Sequence, residues 1–435
     1  MLYTLFVLLC LATPAPLHVA RDARLEKAID AYARAYVDAG HLAGQVVVAR
    51  RGTIIAERNW GLANRETATP IDSETRINIA SITKPMTWTV AHQLIAEGKL
   101  AESDSIAKWI PGFHAAHAMT VGDLLKHTSG IPHRVTTELD ESQPLSPADV
   151  VELARKTELQ FEPGAKASYS SAGYTVLARV LELASGLTYG DLLEQRLFGP
   201  LGMTHTFHPD SRRIISDRAS SYIPGLSGIE NAPLKDMSFL AGAGSVYSTA
   251  RDLLRFVLAC VDGRLGEERR AVAVQNGKLD WNGSSNGFRA FATYDSASGI
   301  AIVYCGNVVT GAGDKLKDAI PRLVAGEKLA PGSLPAVFAH LAARRAIAPE
   351  AIRRYEGSYQ LFNGQRIELR VRGDVLAAND WILVPTSDST FFSLRDYADV
   401  VPVRGEDGHL VRFDWTINGK PYPLTRLGDL ASARN

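Results

Sequence analysis

Residues 76–98 read RINIASITKPMTWTVAHQLIAEG, and this stretch decides how the first half of the chain is organised. Residues 76–80 have an extended pattern, and apolar residues then recur at every fourth position until Gly98, which predicts a helix with one buried face. Ser81 therefore opens a helix, and Lys84 lies one turn later on the same face. Because a serine hydroxyl needs a neighbouring group to take its proton, the two residues form a candidate nucleophile and base.

A second S-x-x-K match, at Ser105 and Lys108, has different surroundings. It follows Asp104 and runs into Pro111 and Gly112, a combination that ends a helix. We interpret this match as surface structure. Since the pattern alone is expected about once by chance in a chain of this size, the hypothesis for Ser81 depends on the residues around it.

The composition excludes several classes of function. The chain has 435 residues, of which 46% are hydrophobic, and this is enough for two domains with cores of their own. Its 47 basic and 47 acidic residues give no net charge, so we expect a small-molecule substrate and neither a nucleic acid nor an anionic membrane surface. No metal-binding motif is present, and we expect no metal and no cofactor.

The first twenty residues, MLYTLFVLLCLATPAPLHVA, are similar to a secretory signal peptide. Their apolar run is too short to span a bilayer as a permanent anchor, so we expect an exported protein that is periplasmic or secreted. Of the three cysteines, Cys10 belongs to this segment. Cys260 falls in a helical pattern and Cys305 in a strand pattern, which predicts two separately buried thiols.

Helical and strand patterns are segregated along the chain. Residues 24–38 form an amphipathic helix, residues 44–60 form a hairpin around Arg51 and Gly52, and residues 293–304 form a second hairpin. The region between, from 81 to about 205, is mostly helical. This order predicts an α+β domain in which an antiparallel sheet is built from both ends, with a helical insertion.

The end of the chain has a different pattern. Residues 328–335 have the composition of a linker, and beyond residue 350 the chain consists of short strands, which predicts a small all-β, barrel-like domain. The predicted strands cover residues 357–361, 366–371, 375–378, 381–385, 391–394 and 409–414. The predicted organisation is a signal peptide at 1–20, a catalytic domain at 21–327, a linker at 328–349 and the β domain at 350–435.

Two further clusters carry functional groups. Tyr169 follows a turn at residues 161–164 and precedes an apolar helix, which places its phenol at a loop-to-helix junction. The second cluster is Trp281-Asn282-Gly283-Ser284, directly before a core strand. Gly283 allows a strand edge to approach a ligand closely, and the N–H of Ser284 is available to face it.

The order S-x-x-K, then Tyr169-Ser170-Ser171, then Trp281-Asn282-Gly283 resembles the serine beta-lactamase and penicillin-binding-protein superfamily. It is most similar to the class C beta-lactamase-like carboxylesterases of family VIII. Residues 127–132 (HTSGIP), 161–164, 200–203 and 244–253 are similar to that superfamily as well. The likeness covers about residues 25–325 and implies a beta-lactamase/transpeptidase-like fold, an antiparallel sheet flanked by helices plus a helical subdomain. The tail resembles the small β-barrel domain that some members carry.

The resemblance implies a role for each matching residue. Ser81 attacks a carbonyl carbon and is acylated, while Lys84 and Tyr169 share the proton transfers; which of the two is the base stays open. The N–H groups of Ser81 and Ser284 form an oxyanion hole, in which each donor contributes about 3 kcal/mol.

Two positions differ from the lactamase pattern. Trp281 stands where beta-lactamases and carboxypeptidases have a lysine, and an indole cannot pair with a substrate carboxylate. Ser171 replaces the asparagine of Y-x-N. Both differences favour an ester with an apolar acyl part, with Trp281, Asn282, Gly283 and Ser171 as the residues that bind it.

Several alternatives remain open. Ser285 lies in a G-x-S-x-G match, but the strand-turn-helix context of that motif is missing. His127 is expected to cap a helix end or bond a loop. The protein is alternatively a D-amino-acid peptidase or weak beta-lactamase of the same superfamily, or a catalytically silent relative that binds a partner through its β domain. A contact of Ser81 Oγ with both Lys84 Nζ and Tyr169 Oη would favour the hydrolase. A cleft filled by the β domain would favour the catalytically silent relative.

Overall fold

The computed structural model describes residues 16–114, 119–135, 140–209, 213–341, 348–361, 366–378, 381–387, 389–417 and 419–429. In the first part of the chain the strands are β1 (His18–Val19), β2 (Gly44–Arg50), β3 (Thr53–Trp60), β4 (Leu62–Asn64), β5 (Thr69–Pro70), β6 (Ile77–Asn78), β7 (Tyr222–Gly225), β8 (Gly228–Asn231), β9 (Tyr247–Ser248), β10 (Lys278–Ser285), β11 (Phe288–Asp295) and β12 (Ile300–Gly306). The helices are α1 (Ala23–Asp38), α2 (Thr83–Ala96), α3 (Ile106–Trp109), α4 (Val121–Leu125), α5 (Pro147–Arg155), α6 (Ser171–Ser185), α7 (Tyr189–Leu193), α8 (Gly199–Leu201), α9 (Ala250–Val261), α10 (Glu267–Ala273), α11 (Gly311–Val324), α12 (Ala336–His340) and α13 (Pro349–Arg353).

The central sheet has six strands in the order β1-β3-β2-β12-β11-β10. The short β1 runs parallel to β3, and every other pair is antiparallel. Arg51 and Gly52, at the turn of the first predicted hairpin, have φ of 49° and 81°. Positive φ at both central residues is the geometry that a tight hairpin requires. Strands from both ends of the domain meet where β12 pairs with β2, as the sequence predicts.

Alternate residues of the central strands face two separate cores. On β2, Val47 and Ala49 belong to the large core beneath the helical region, while Val46 and Val48 pack with α1 and α11 on the other face. Because side chains alternate along a strand, one apolar run supplies both cores. The sheet is therefore covered by helices on both faces, with the inserted helices on one side.

The last eight strands form a closed antiparallel barrel in which each strand pairs with the next and the last pairs with the first. They are β13 (Gly357–Gln360), β14 (Arg366–Arg372), β15 (Val375–Ala378), β16 (Trp381–Pro385), β17 (Phe391–Ser393), β18 (Ala398–Arg404), β19 (Leu410–Ile417) and β20 (Lys420–Gly428). Six of these strands correspond to the predicted ones, and the sequence analysis missed β18 and β20. The predicted α+β domain, an antiparallel sheet flanked by helices with a helical insertion, and the small β barrel that follows it are confirmed.

The barrel packs against the first part of the chain. Phe392 and Leu394 form an apolar cluster with Leu226 and with Phe338 of α12. Tyr397 adds a polar contact, since its hydroxyl lies 2.7 Å from a ring nitrogen of His41. The predicted linker therefore contains a helix that packs between the two parts.

Two further predictions concern the N-terminal segment and the cysteines. The proposed signal peptide falls mostly on residues 1–15, outside the described residues, but His18 and Val19 add a short strand to the sheet. No helix within the described ranges has both the length and the apolarity to cross a membrane. Cys260 and Cys305 are buried free thiols, as predicted.

Gln45 links three segments of the catalytic part. Its Nε2 donates to the carbonyl oxygens of Asp72, at 2.5 Å, and Thr75, at 2.9 Å. Its Oε1 accepts from the N–H of Ala250, at the start of α9, at 2.8 Å. Gln45 is only 2% exposed and its bonds to Thr75 and Ala250 are buried, so water cannot replace these two partners.

We expect Gln45→Met to lower the free energy of unfolding by about 2–4 kcal/mol, because the buried backbone groups of Thr75 and Ala250 lose their partner while the volume is nearly kept. Urea titration followed by tryptophan fluorescence measures this change. Gln93→Met is the matched control, because Gln93 makes one long bond, of 3.4 Å, to Arg196 O. Equal losses in the two variants would contradict the role of Gln45.

Candidate active site

Ser81 lies in a single 3₁₀ turn, Ala80–Ile82, directly before α2. Ala80 adopts a left-handed conformation with φ of 47°, which is unfavourable for a residue with a Cβ. Asn78 holds it there: its Oδ1 accepts from Ala80 N–H at 2.9 Å, and its Nδ2 donates to the carbonyls of Gly244 and Val246. The buried amide of Asn78 thus fixes the backbone that presents Ser81.

Lys84 is buried beneath Ser81 and has no carboxylate partner among the described residues. Its Nζ donates to Ala243 O at 2.7 Å, to Ser171 Oγ at 3.2 Å and to Ser81 Oγ at 3.5 Å. The three acceptors are uncharged, so the lysine is positioned by neutral oxygens. This arrangement leaves Nζ in contact with the serine hydroxyl, as the S-x-x-K spacing predicts.

Tyr169 is positioned by backbone hydrogen bonds between two loops. Ser168 N–H donates to His127 O at 2.9 Å, and Gln160 N–H donates to Gly130 O at 2.8 Å. A Cβ at Gly130 would lie 2.1 Å from Phe161 O, and its φ is +76°, so only glycine allows the loops to approach this closely. The HTSGIP stretch therefore serves to place the tyrosine loop.

The ring of Tyr169 lies against Lys84, with Nζ 4.7 Å from the ring centroid. Among the hydrogen bonds of the described residues, Ser81 Oγ is joined to Lys84 Nζ and none joins it to Tyr169 Oη. Tyr169 and Ser81 nevertheless line the same cleft. The two proton-transfer candidates are thus adjacent, and Lys84 is the one in contact with the serine.

The edge strand β10 passes close to the backbone that precedes Ser81. A Cβ built on Gly283 would lie 2.3 Å from Ile79 O and 3.3 Å from Ala80 Cβ, so only glycine fits there. Ser284 follows immediately. This contact holds β10 against the turn that carries Ser81, and the oxyanion hole of the Ser81 and Ser284 N–H groups stays a prediction.

Ser171, Asn282, Gly283 and Ser284 line the cleft together with Ser81 and Tyr169. Trp281 is not among its lining residues. The Trp281 ring stacks on the Phe256 ring, with 5.4 Å between the two centroids. The guanidinium carbon of the buried Arg269 lies 5.1 Å from the centroid of the Trp281 ring. The indole therefore packs away from the cleft.

The cleft has a volume of about 520 Å³, a size suited to a small ligand. Part of its wall comes from the barrel, including Trp381, Arg395 and Trp415. The sequence analysis missed these residues because no local pattern connects them to Ser81. It also missed His133, although that residue directly follows the HTSGIP stretch.

The G-x-S-x-G match at Ser285 and the second S-x-x-K match at Ser105 both have structural roles. Ser285 ends β10, and Asn286 and Gly287, with φ of 38° and 84°, form a tight hairpin turn into β11 instead of an elbow into a helix. Ser105 caps the short α3, and Lys108 pairs with Asp104 at 2.8 Å. Both observations agree with the interpretations made from the sequence.

One group of possible metal ligands occurs in the described part of the chain: His92, Glu102 and Glu268. Glu268 is 71% exposed, and Glu102 is paired with Lys126 at 2.6 Å. These side chains form a surface ion-pair group outside the cleft.

Two histidines flank the Tyr169 ring. The ring centroids of His127 and His133 lie 4.7 and 5.6 Å from that of Tyr169. Burial, and then the charge of Lys84, lowers the pKa of His127 to about 4 and that of His133 to about 3. His127 Nδ1 accepts from Ser170 N–H at 3.2 Å, which is the loop-bonding role expected from the sequence.

The lowered pKa of His127 can be tested through the pH dependence of the protein's stability. Its pKa falls from an ordinary 6.5 to about 4, so between these values the unfolded chain binds more protons and stability decreases as pH falls. We expect His127→Asn, which tolerates the positive φ of this position, to show a smaller decrease from pH 6.5 to 4 than the wild type. Urea denaturation at each pH measures it, and identical slopes would contradict the assignment.

The sequence matches the beta-lactamase family over residues 29–279, which is more than half of the chain. It is 29% identical over 231 residues to penicillin-binding protein 4* of Bacillus subtilis strain 168, a match that covers 49% of this chain and 51% of that protein. The chain spans about half the length of the curated relatives it matches.

Solved structures show the same fold. D-amino acid amidase from Ochrobactrum anthropi SV3, complexed with L-phenylalanine amide, superposes with a TM-score of 0.62 at 22% identity, over 69% of this chain and 99% of that one. EstCE1, described as a hydrolase with promiscuous acyltransferase activity, superposes with a TM-score of 0.60 at 21% identity, over 68% and 98%. The extent of the family match, together with this fold, shows that the chain belongs to the beta-lactamase family.

Proposed function

We propose that this protein is an exported serine hydrolase that cleaves carboxylic esters through an acyl-enzyme on Ser81. The observation that carries the proposal is the contact of Ser81 Oγ with Lys84 Nζ, at 3.5 Å, at the floor of an open cleft. A hydroxyl in contact with a lysine that has no described carboxylate partner is a nucleophile with a built-in proton acceptor.

In the acylation step Ser81 Oγ attacks the ester carbonyl carbon while its proton passes to Lys84 Nζ or Tyr169 Oη. The N–H groups of Ser81 and Ser284 stabilise the oxyanion that forms on the carbonyl oxygen. The carbon–oxygen bond to the alcohol then breaks, and the alcohol leaves with the proton. The product of this step is an ester of Ser81 with the acyl group.

In the second step a water molecule attacks the acyl carbon and gives up a proton to the same pair of residues. The bond to Ser81 Oγ breaks, Oγ regains a proton, and the carboxylic acid is released. Lys84 and Tyr169 therefore act as base and then as acid in each half of the cycle. The adjacent positions of Lys84 and Tyr169, with Nζ 4.7 Å from the tyrosine ring centroid, support this double use.

Esters are the proposed substrates because Ser171, in place of an asparagine, removes an amide that would hold a substrate amide. EstCE1, a hydrolase with promiscuous acyltransferase activity, has the same fold, which supports acyl transfer to a serine. The D-amino acid amidase has the same fold, so amide cleavage is the second candidate. Export is supported by the apolar leader pattern of residues 1–20.

A catalytically silent binding protein is less well supported. The barrel contributes a wall to the cleft but does not fill it, because a cavity of about 520 Å³ remains beside Ser81. The contacts of Ser81, Lys84 and Gly283 are also those that catalysis needs.

We expect Ser81→Ala to reduce hydrolysis of p-nitrophenyl butyrate by at least about 10³-fold, since the acyl-enzyme cannot form. A fluorophosphonate is expected to add once to the wild type, at Ser81, as read by intact and peptide mass spectrometry. Ser285→Ala is the matched control, because Ser285 lines the same cleft, and it should retain labelling. Labelling at Ser285 would refute the site, and no labelling of the wild type would refute the hydrolase.

Gly283→Ala tests the oxyanion hole. The added methyl group meets Ile79 O, so β10 must move and carry the Ser284 N–H away from Ser81. We expect kcat to fall about 100-fold, as when one oxyanion donor is lost, with a smaller change in KM. Steady-state kinetics on p-nitrophenyl butyrate measure the change. Unaltered kcat would place the oxyanion hole elsewhere.

A further inference from the structure

Helix α10 carries a buried cation that the proposed mechanism does not use. Arg269 is only 4% exposed, whereas the side chain of its neighbour Arg270 is 51% exposed and pairs with Glu267 on the same helix. Arg269 is not one of the described residues that line the cleft, so a substrate bound there does not contact it. Its role therefore follows from the residues that surround it.

Three aromatic rings surround the guanidinium of Arg269. Its central carbon lies 5.0 Å from the ring centroid of Trp88, 5.1 Å from that of Trp281 and 5.8 Å from that of Phe256. An arginine within about 6 Å of an aromatic face is attracted to it. Because the three rings belong to α2, β10 and α9, one guanidinium contacts three elements besides its own. We call these four residues the Arg269 cluster.

The charge of Arg269 is compensated without an anion. No carboxylate among the described residues pairs with it, and its Nε and Nη2 have no hydrogen-bond partner there. The thiol of Cys260 interacts with the guanidinium but is neutral, because burial raises its pKa to about 11. Burial also lowers the pKa of Arg269 from its ordinary value. Since a buried cation is costly unless its surroundings compensate it, the positions of the rings around the guanidinium are tightly constrained.

The Arg269 cluster joins the two elements that carry the proposed catalytic groups. Trp88 lies on α2, one turn after the lysine of S-x-x-K, and Trp281 lies on β10, two residues before Gly283. Gly283 forms one attachment between these elements, because a Cβ added there would lie 2.3 Å from Ile79 O. The cluster is a second attachment. Two attachments fix the direction of a strand as well as its distance from the helix.

We infer that Arg269 is a positioning residue for the proposed reaction and holds β10 against α2 through the rings of Trp88 and Trp281. This keeps the N–H of Ser284 in place for the predicted oxyanion hole, whose donors contribute only when they are preorganised. The inference rests on the proposed function, and Arg269 itself touches no reacting group. It also gives Trp281 a role other than substrate binding.

Substitutions of similar length test the charge of Arg269. Arg269→Met removes the cation, and we expect kcat for p-nitrophenyl butyrate to fall about 10- to 100-fold, with KM within about threefold of the wild type. Arg269→Lys should recover part of the lost kcat, because aromatic rings also attract an ammonium group. Equal losses in the two variants would mean that the cation is not responsible and would overturn the inference. Arg270→Met is the matched control on the same helix and should stay within about twofold of the wild type.

A loss of stability has to be separated from a loss of positioning. Gln45→Met is expected to destabilise the protein without touching the Arg269 cluster, so its kcat should stay within about twofold of the wild type. A decrease in its kcat as large as that of Arg269→Met would overturn the inference. If Arg269→Met does not fold, Trp281→Leu removes the ring on the strand side and is expected to lower kcat in the same way. Unchanged kcat in the folded variant would overturn the inference as well.

Hydrogen exchange separates this inference from the proposed activity. Amide exchange of residues 278–285, read by peptide mass spectrometry, reports how firmly β10 is held. We expect it to be about 10-fold faster in Arg269→Met than in the wild type and Arg270→Met, with exchange of β2 unchanged. Faster exchange of β10 in a protein that hydrolyses no ester supports the positioning role and removes only the proposed function. Equal exchange with kcat intact leaves the hydrolase and removes the positioning role.

Discussion

The close approach of strand β10 to the backbone before Ser81 is the constraint on which the rest of the site depends. A side chain at position 283 would overlap Ile79 O, so glycine is required, and Ala80 must adopt an unfavourable left-handed conformation to complete the turn. Asn78 supports this strained backbone with three hydrogen bonds. As a result the edge of the sheet and the start of α2 are held together, and Ser81 and Ser284 line the same cleft.

The electrostatic character of the site follows from what surrounds Lys84. The lysine contacts a carbonyl oxygen and two hydroxyl oxygens, and the Tyr169 ring lies against it. The nearby imidazoles of His127 and His133 are kept neutral by burial, which holds their pKa values well below the ordinary one. Lys84 is thus the only basic side chain in contact with Ser81 among the described residues. The other charged residues of the cleft, Arg134, Glu141, Lys235, Arg289, Arg395 and Asp396, form parts of its walls.

Much of the fold could be predicted because its signals are local. The hairpin at Arg51 and Gly52 and six of the eight barrel strands follow from alternation and turn residues. β20 was missed because Pro421 and Pro423 argue against a strand. The structure accommodates them because β20 pairs with β13 only from Thr425 onward, so the prolines have a neighbouring strand on one side. β18 was missed in the same way, since Pro402 interrupts its pattern.

The sequence by itself determined which residues are proposed as nucleophile, lysine, tyrosine and edge-strand glycine of the site, because each belongs to a short motif whose spacing sets its geometry. It also determined the layered domain and the following β domain. Only the tertiary structure decided what forms the walls of the cleft. Trp281 turns toward Phe256 and Arg269 because the adjoining core offers it aromatic and cationic partners. Arg395 reaches Ser284 because the barrel packs against the first part of the chain, and such a contact between residues far apart in sequence leaves no local pattern to read.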